Sequence, residues 1–150
     1  MSQEDPIRIF VTHAWSQSED YLRVFEYIES ARNFFYTNLS APQTRPPGNM
    51  ESERDALRLQ IGRAEVVIAL GALSLTEFAA VEFQLLFARA THKPVLMLPV
   101  FGVTKTLPKT LFDLVSDTLT WDGRAIVDAI RHHARGENTA RWDVIEFKPD

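Results

Sequence analysis

The chain has 150 residues, of which 45% are hydrophobic and 24% are charged, a composition typical of one globular domain with an ordinary core. Its 16 lysines and arginines against 20 aspartates and glutamates give a net charge of -4, which argues against a protein that binds nucleic-acid backbones. It contains no cysteine, which excludes disulfides, cysteine-ligated metal centres and thiol nucleophiles.

The N-terminal segment lacks the basic start and the apolar stretch of a signal peptide. No apolar run approaches the ~18 residues that a membrane-spanning helix needs. We therefore expect a cytoplasmic protein that binds neither membranes nor nucleic acids.

The first predicted element is a strand over residues 7–11, where apolar β-branched residues alternate along the chain. Ser16 and Glu19 have the spacing of a capping box, in which each side chain satisfies a free backbone amide at the start of a helix. The helix that follows is predicted to be amphipathic, with apolar residues at Tyr21, Leu22, Phe25 and Ile28.

The next segment combines a short aromatic strand with a loop. Residues 34–37 are predicted to form the strand, and residues 40–49 a proline-rich loop. Long loops are uncommon in compact domains, so this one is a candidate lid or partner contact, with a disordered surface excursion as the alternative. A second helix is predicted from Glu51 onward.

Two continuous apolar runs, residues 66–70 and 95–100, indicate strands that are covered on both faces of a parallel sheet. Between them, residues 78–90 predict an apolar helix, which completes a strand–helix–strand unit. An edge strand over residues 117–121 and a last helix over residues 125–133 complete the alternation.

This alternation predicts an α/β protein with a flavodoxin-like, doubly wound parallel sheet in a single domain. The core is expected over about residues 6–134. The polar tail 135–150, which carries Trp142, Val144, Ile145 and Phe147, is expected to pack on the body or to be flexible.

Ligands of such sheets bind at the carboxyl ends of the strands. The segments expected there are residues 12–15, 71–74 and 101–102. None has a glycine pattern of the G-x-G-x-x-G or G-x-x-x-x-G-K-[ST] type, so a dehydrogenase or a P-loop nucleotidase is disfavoured.

Glu82 is the one acidic residue in the apolar helix 78–90, and helical spacing places it beside Phe78, Leu85 and Leu86. A carboxylate among apolar neighbours close to the strand ends is a candidate catalytic group. The alternative is that Glu82 and Arg89 form a narrow solvated stripe.

Three segments together carry a family resemblance: residues 8–15 (RIFVTHAW), 33–42 (NFFYTNLSAP) and 64–70 (AEVVIAL). They resemble the TIR-like domains of the bacterial Thoeris anti-phage system. In that family a Ser/Thr-bearing turn leads to a W-x-x-x-E helix and then to a Lys-Pro strand. The counterparts here are residues 74–82 and 93–96, and the resemblance continues through 120–122 and 125–131 to about His133.

The resemblance implies cleavage of NAD⁺ between nicotinamide and ribose, with NAD⁺ as substrate and no prosthetic group. Glu82 matches the catalytic glutamate of the family, and Phe78 stands where the family often has tryptophan. An anion beside the ribose stabilises the oxocarbenium-like state of glycosidic cleavage, and nicotinamide leaves as a neutral group without a general acid.

Trp15 is expected to stack on a ring, His13 to donate to a phosphate or a ribose, and Asp20 to orient these contacts. Arg45 is a candidate phosphate contact. The alternative for each is a structural or surface role. The full set of expected binding residues is Thr12, His13, Trp15, Asp20, Arg45, Gly71, Ser74 and Phe78.

No metal site is expected, because the adjacent His132 and His133 point in different directions and lack a third ligand. A receiver-type phosphoacceptor is disfavoured, since Thr12, His13 and Gly71 occupy positions where it needs acidic residues.

The resemblance further implies self-association, an active site completed by a neighbouring subunit, and a downstream effector that responds to the nucleotide signal. A non-catalytic TIR-like adaptor that self-associates through Phe83, Phe87 and Ala90 is the competing hypothesis.

Overall fold

A computed structural model of the protein describes residues 2–103 and 107–137. Strands and helices alternate along the chain, as an α/β fold requires. In order, the elements are β1 (Ile7–Val11), α1 (Glu19–Glu29), β2 (Tyr36–Asn38), α2 (Met50–Arg63), β3 (Val66–Leu70), α3 (Gly71–Thr76), α4 (Phe78–Ala90), β4 (Val95–Leu98), α5 (Lys109–Phe112), β5 (Asp117–Thr118) and α6 (Gly123–Arg135).

The five strands form one sheet in the order β2-β1-β3-β4-β5, and every pair is parallel. The predicted flavodoxin-like, doubly wound fold is confirmed. Strand order reverses at the β1–β3 pair, where Ile9 lies beside both Asn38 and Val66. In sheets of this kind a ligand crevice opens beyond the carboxyl ends of the strands at this reversal.

Helices cover both faces of the sheet. On one face Ile9 and Ile68 contact α1 and α6, whose buried residues include Val24 and Ile130. On the other face Phe10, Val67 and Ala69 pack against α2, α4 and α5 through Ile61, Leu85 and Leu111. The two faces alternate along each strand because successive side chains point in opposite directions.

Some predicted boundaries were wrong. The helix cap is Ser18, whose hydroxyl accepts from the backbone N–H of Tyr21, and not Ser16. The strand predicted to reach residue 100 ends at Leu98, because Pro99 has no N–H to donate to the sheet. The edge strand is only Asp117–Thr118, and the short helix α3 was not predicted.

The tail residues Trp142, Val144, Ile145 and Phe147 lie outside the described residues. No described helix combines the length and the apolar character that crossing a membrane requires.

Candidate functional site

A cleft of about 340 Å³ opens beyond the carboxyl end of β1, between the proline-rich loop, α2 and the start of α4. We refer to it as the α2–α4 cleft. Its lining side chains are His13, Ala14, Trp15, Arg45, Met50, Glu53, Arg54, Leu57, Glu77, Ala79, Ala80, Phe83 and Gln84. Three of the predicted site residues, His13, Trp15 and Arg45, therefore share this cleft.

Thr12 is fully buried and has a structural role at the end of β1. Its Oγ1 accepts a hydrogen bond from the backbone N–H of Leu70 at 3.0 Å, and its own N–H donates to the carbonyl of Ile68. These bonds hold β1 against β3. Because Thr12 is fully buried, its side chain cannot contact a ligand.

His13 is buried and uses both ring nitrogens within the protein. Nδ1 accepts from the backbone N–H of Trp15 at 3.2 Å, so the proton lies on Nε2, which donates to Oε1 of Gln60 at 3.0 Å. Burial lowers the pKa of the ring, although the bond to Gln60 acts in the opposite direction. The neutral ring therefore positions its neighbours, because it has no free N–H for a phosphate.

Trp15 has a φ of 64°, in the left-handed region that a tryptophan rarely adopts. The bond from its N–H to His13 and an edge-on contact between the two rings, with centroids 4.8 Å apart, hold this conformation. The half-buried indole contributes to the wall of the cleft.

Gln84 is the polar residue of α4 that lines the cleft, and it is fully buried. Its Oε1 accepts from the His13 N–H at 3.2 Å, and its Nε2 donates to the His13 carbonyl at 2.7 Å. The side chain thus joins α4 to the end of β1 and fixes the floor of the cleft.

The charged side chains of the cleft include two cations. Arg45 donates from Nε to Glu53 at 3.0 Å, and the Arg54 guanidinium lies 5.3 Å from the centre of the Phe83 ring. Glu77 is exposed, and among the described residues its carboxylate has no hydrogen-bond or ion-pair partner.

Glu82 does not line the cleft. It is half-buried on α4, and its carboxylate has no hydrogen-bond or ion-pair partner within the described chain. Phe78 is also absent from the cleft lining and packs against the core cluster under α4.

Gly71 and Ser74 belong to the packing of α3. A Cβ on Gly71 would lie 3.1 Å from the Leu98 carbonyl oxygen, so only glycine fits this approach of α3 to β4 without a shift. The buried Ser74 hydroxyl donates to the Gly71 carbonyl at 2.6 Å. Neither residue lines the α2–α4 cleft.

Asp20 lies in a separate crevice beside α1, α3 and the segment after β4. Its carboxylate forms an ion pair with Arg23 and accepts from the Phe101 N–H at 3.4 Å. The Arg23 guanidinium stacks 3.9 Å from the centre of the Phe101 ring. The structure therefore does not bring Asp20 together with His13 and Trp15.

At the end of α6, His133 Nε2 lies 3.2 Å from a carboxylate oxygen of Asp117, and the His132 ring meets the His133 ring edge-on. Over residues 2–103 and 107–137, no three histidine, aspartate or glutamate side chains are placed to hold a metal ion.

Sequence reasoning missed the charged, amide and aromatic side chains Glu53, Arg54, Glu77, Phe83 and Gln84, which also line the cleft. The available signal was the pair Ala79-Ala80, because two successive small residues leave open space on one flank of α4.

No protein-family model matches the chain, and no curated protein sequence matches it. The side chains of the cleft and of α4 are therefore the basis for a functional proposal.

Proposed function

We propose that the protein cleaves the bond between nicotinamide and ribose in NAD⁺ and produces an ADP-ribose-derived signal in cytoplasmic anti-phage defence. The observation that carries this proposal is the α2–α4 cleft, which combines aromatic rings, guanidinium groups and a carboxylate at the crevice of a doubly wound sheet.

Each part of the cleft suits one part of a dinucleotide. Trp15 and Phe83 offer ring faces or edges for a base. Arg45 and Arg54 supply cationic donors for a diphosphate, and Glu77 supplies acceptors for ribose hydroxyls. NAD⁺ is here a substrate, and the downstream partner is an effector that senses the product.

Glu82 is the proposed catalytic carboxylate, as the resemblance to the Thoeris TIR-like domains implies. The bond from the ribose C1′ to the nicotinamide nitrogen breaks, and its electron pair goes to that nitrogen, so nicotinamide leaves neutral. The anionic carboxylate stabilises the positive ribosyl fragment until water or another hydroxyl adds to C1′ and releases a proton. A half-buried carboxylate without a protein partner in the described chain supports this role.

The first prediction is that the purified protein releases nicotinamide from NAD⁺ and that Glu82→Gln lowers this rate by a factor of about 100 or more. Chromatography with mass detection separates nicotinamide from the ribose products. Glu26→Gln, which removes an exposed carboxylate from α1, is the matched control and keeps the parent rate. Absence of nicotinamide release overturns the reaction, and a folded Glu82→Gln protein with the parent rate overturns the role of Glu82.

The second candidate is a non-catalytic adaptor that acts by self-association. It is favoured by the fact that the polar residue of α4 that lines the cleft is an amide, Gln84, and not a carboxylate, and that both its oxygen and its nitrogen are bonded to the backbone of His13. An adaptor predicts concentration-dependent association without turnover of NAD⁺. Light scattering beside the same NAD⁺ assay distinguishes the two functions.

A further inference from the structure

We propose that the α2–α4 cleft binds the ADP half of the dinucleotide and that Glu77 makes the site selective for NAD⁺ over NADP⁺. The inference rests on the proposed function for the identity of the substrate. Beyond that function, it identifies the cleft as a subsite, names the half of the substrate that binds there, and assigns a residue that determines specificity.

The size of the cleft and the position of Glu82 indicate which half binds. A volume of about 340 Å³ is at the lower end of the range for ligand pockets, so the cleft holds part of a dinucleotide. Because Glu82 does not line the cleft, the bond that it acts on lies outside it. The part held inside is then the adenosine and its diphosphate.

The charges of the cleft match such a half-substrate. The carboxylate of Glu53 is already engaged by Arg45, and Arg45 is 63% exposed, so it keeps free donors for a phosphate. Arg54 is held only loosely by Glu51, at 3.9 Å, and its guanidinium faces the Phe83 ring. Two guanidinium groups in a cleft that also contains an aromatic ring suit a diphosphate beside a base.

Glu77 differs from Glu53 because its carboxylate has no protein partner in the described residues. A carboxylate that faces a nucleotide accepts hydrogen bonds from the 2′ and 3′ hydroxyls of a ribose. A 2′-phosphate removes the donor and brings a second anion against the carboxylate, and like charges at such an interface oppose binding. The same side chain thus attracts the unphosphorylated ribose and rejects the phosphorylated one.

The backbone fixes the position of Glu77 at the junction of two helices. Its N–H donates to the Leu73 carbonyl at 2.8 Å, and its carbonyl accepts from the Val81 N–H at 3.1 Å. Glu77 is therefore anchored to both α3 and α4. A residue that determines specificity is most effective when it is held on a rigid part of the fold in this way.

The second prediction follows from this inference, and calorimetric titration with ADP-ribose and with 2′-phospho-ADP-ribose tests it without requiring turnover. The parent protein is expected to bind ADP-ribose at least about tenfold more tightly than the 2′-phosphorylated ligand. Glu77→Gln should reduce this ratio to about threefold or less, and Glu77→Arg should reverse it. Glu26→Gln, which makes the same charge change on α1, should leave the ratio unchanged.

Equal binding of the two ligands by the parent protein, or binding of neither, overturns the inference. So does an unchanged ratio in folded Glu77→Gln and Glu77→Arg variants. The outcome is separable from that of the proposed function. Selective ADP-ribose binding without release of nicotinamide overturns only the reaction, whereas release of nicotinamide from NAD⁺ and NADP⁺ with equal kcat/KM overturns only the selectivity.

Discussion

At the scale of single residues, the end of β1 shows how one buried ring organises a site. The neutral His13 ring accepts from the Trp15 N–H and donates to Gln60, while its backbone is held by the Gln84 amide. Gln60 Oε1 also accepts from the N–H of Ala41, at the start of the proline-rich loop. Protonation of Nδ1 would remove the acceptor that holds Trp15 in its left-handed conformation.

The pKa of His13 provides the third prediction. Burial lowers the pKa of the folded ring from 6.5, so below about pH 6.5 the unfolded chain binds the proton first. The free energy of unfolding therefore falls as the pH decreases from about 6.5 through the lowered pKa of the folded state, and it is independent of this group above about pH 7.5.

Two measurements check this prediction. A ¹⁵N-detected NMR titration of the ring should show the Nε2–H tautomer at neutral pH and a midpoint below 6.5. Thermal unfolding should show a smaller loss of Tm between about pH 7.5 and about pH 5.5 in His13→Asn than in the parent. A midpoint at or above 6.5, or a Tm profile that His13→Asn leaves unchanged, contradicts the assignment.

At the scale of elements, residue pattern predicted the central strands and long helices well. The run of residues 66–70 is β3 and the run 78–90 is α4, because a fully covered strand and an apolar helix each need a continuous apolar sequence. Short elements gave no comparable signal. Helix α3 has six residues and is held by the close approach of Gly71 to β4, a tertiary contact that periodicity does not report.

The site was predicted only in part for a similar reason. Helical spacing makes Glu82 a surface neighbour of both Ala79 and Leu86 on α4, so periodicity alone does not decide which of these side chains faces the cleft. Only the packing of α2 against α4 decides which flank faces the cleft. Sequence reasoning likewise grouped Asp20 with His13, because the two residues are close in the chain. In the structure, His13 lines the α2–α4 cleft and Asp20 lines the separate crevice beside α1.

The proline-rich loop is packed at its start and exposed after it. Ser40 and Pro42 are buried, and the Ser40 hydroxyl contacts the hydroxyl of Tyr21 at 2.9 Å and the side chain of Asn38. From residue 43 to residue 49 nearly every side chain is exposed, and Arg45 reaches the cleft. We therefore expect the loop to contribute little to stability from residue 43 onward.

The fourth prediction is that replacing residues 43–48 with a shorter Gly-Ser linker changes Tm by no more than about 3 °C, because only exposed contacts are lost. Loss of Arg45 should weaken ADP-ribose binding in the same variant. Ser40→Ala is the comparison, since it removes buried hydrogen bonds and should lower Tm by about 3–6 °C. A fall in Tm of about 10 °C in the linker variant would show that the exposed part of the loop is also packed structure.

At the scale of the whole molecule, the exposed surface of α4 is where we expect a second copy of the chain to bind. The surface expected for self-association, around Phe83 and Phe87, is half-buried, and Arg54 and Arg58 of α2 each lie 5.3 Å from the centre of the Phe83 ring. The exposed large apolar residue of α4 is Leu86, at 51% exposure. Leu86 is one turn from Glu82, so a second copy that covered it would also border the proposed catalytic carboxylate.

The fifth prediction is that specific activity rises with protein concentration and that Leu86→Glu abolishes this rise. A charge on an apolar contact opposes association, while at an exposed position it leaves the fold intact, as circular dichroism should show. Leu22→Glu makes the same change at an exposed residue of α1 on the other face of the sheet and should retain the parent behaviour. The measurement pairs the rate of nicotinamide release with light scattering across a wide concentration range in the presence of NAD⁺. Constant specific activity from a species that stays monomeric, or an equal loss in both variants, would show that the surface around Leu86 is not the contact on which the rise in activity depends.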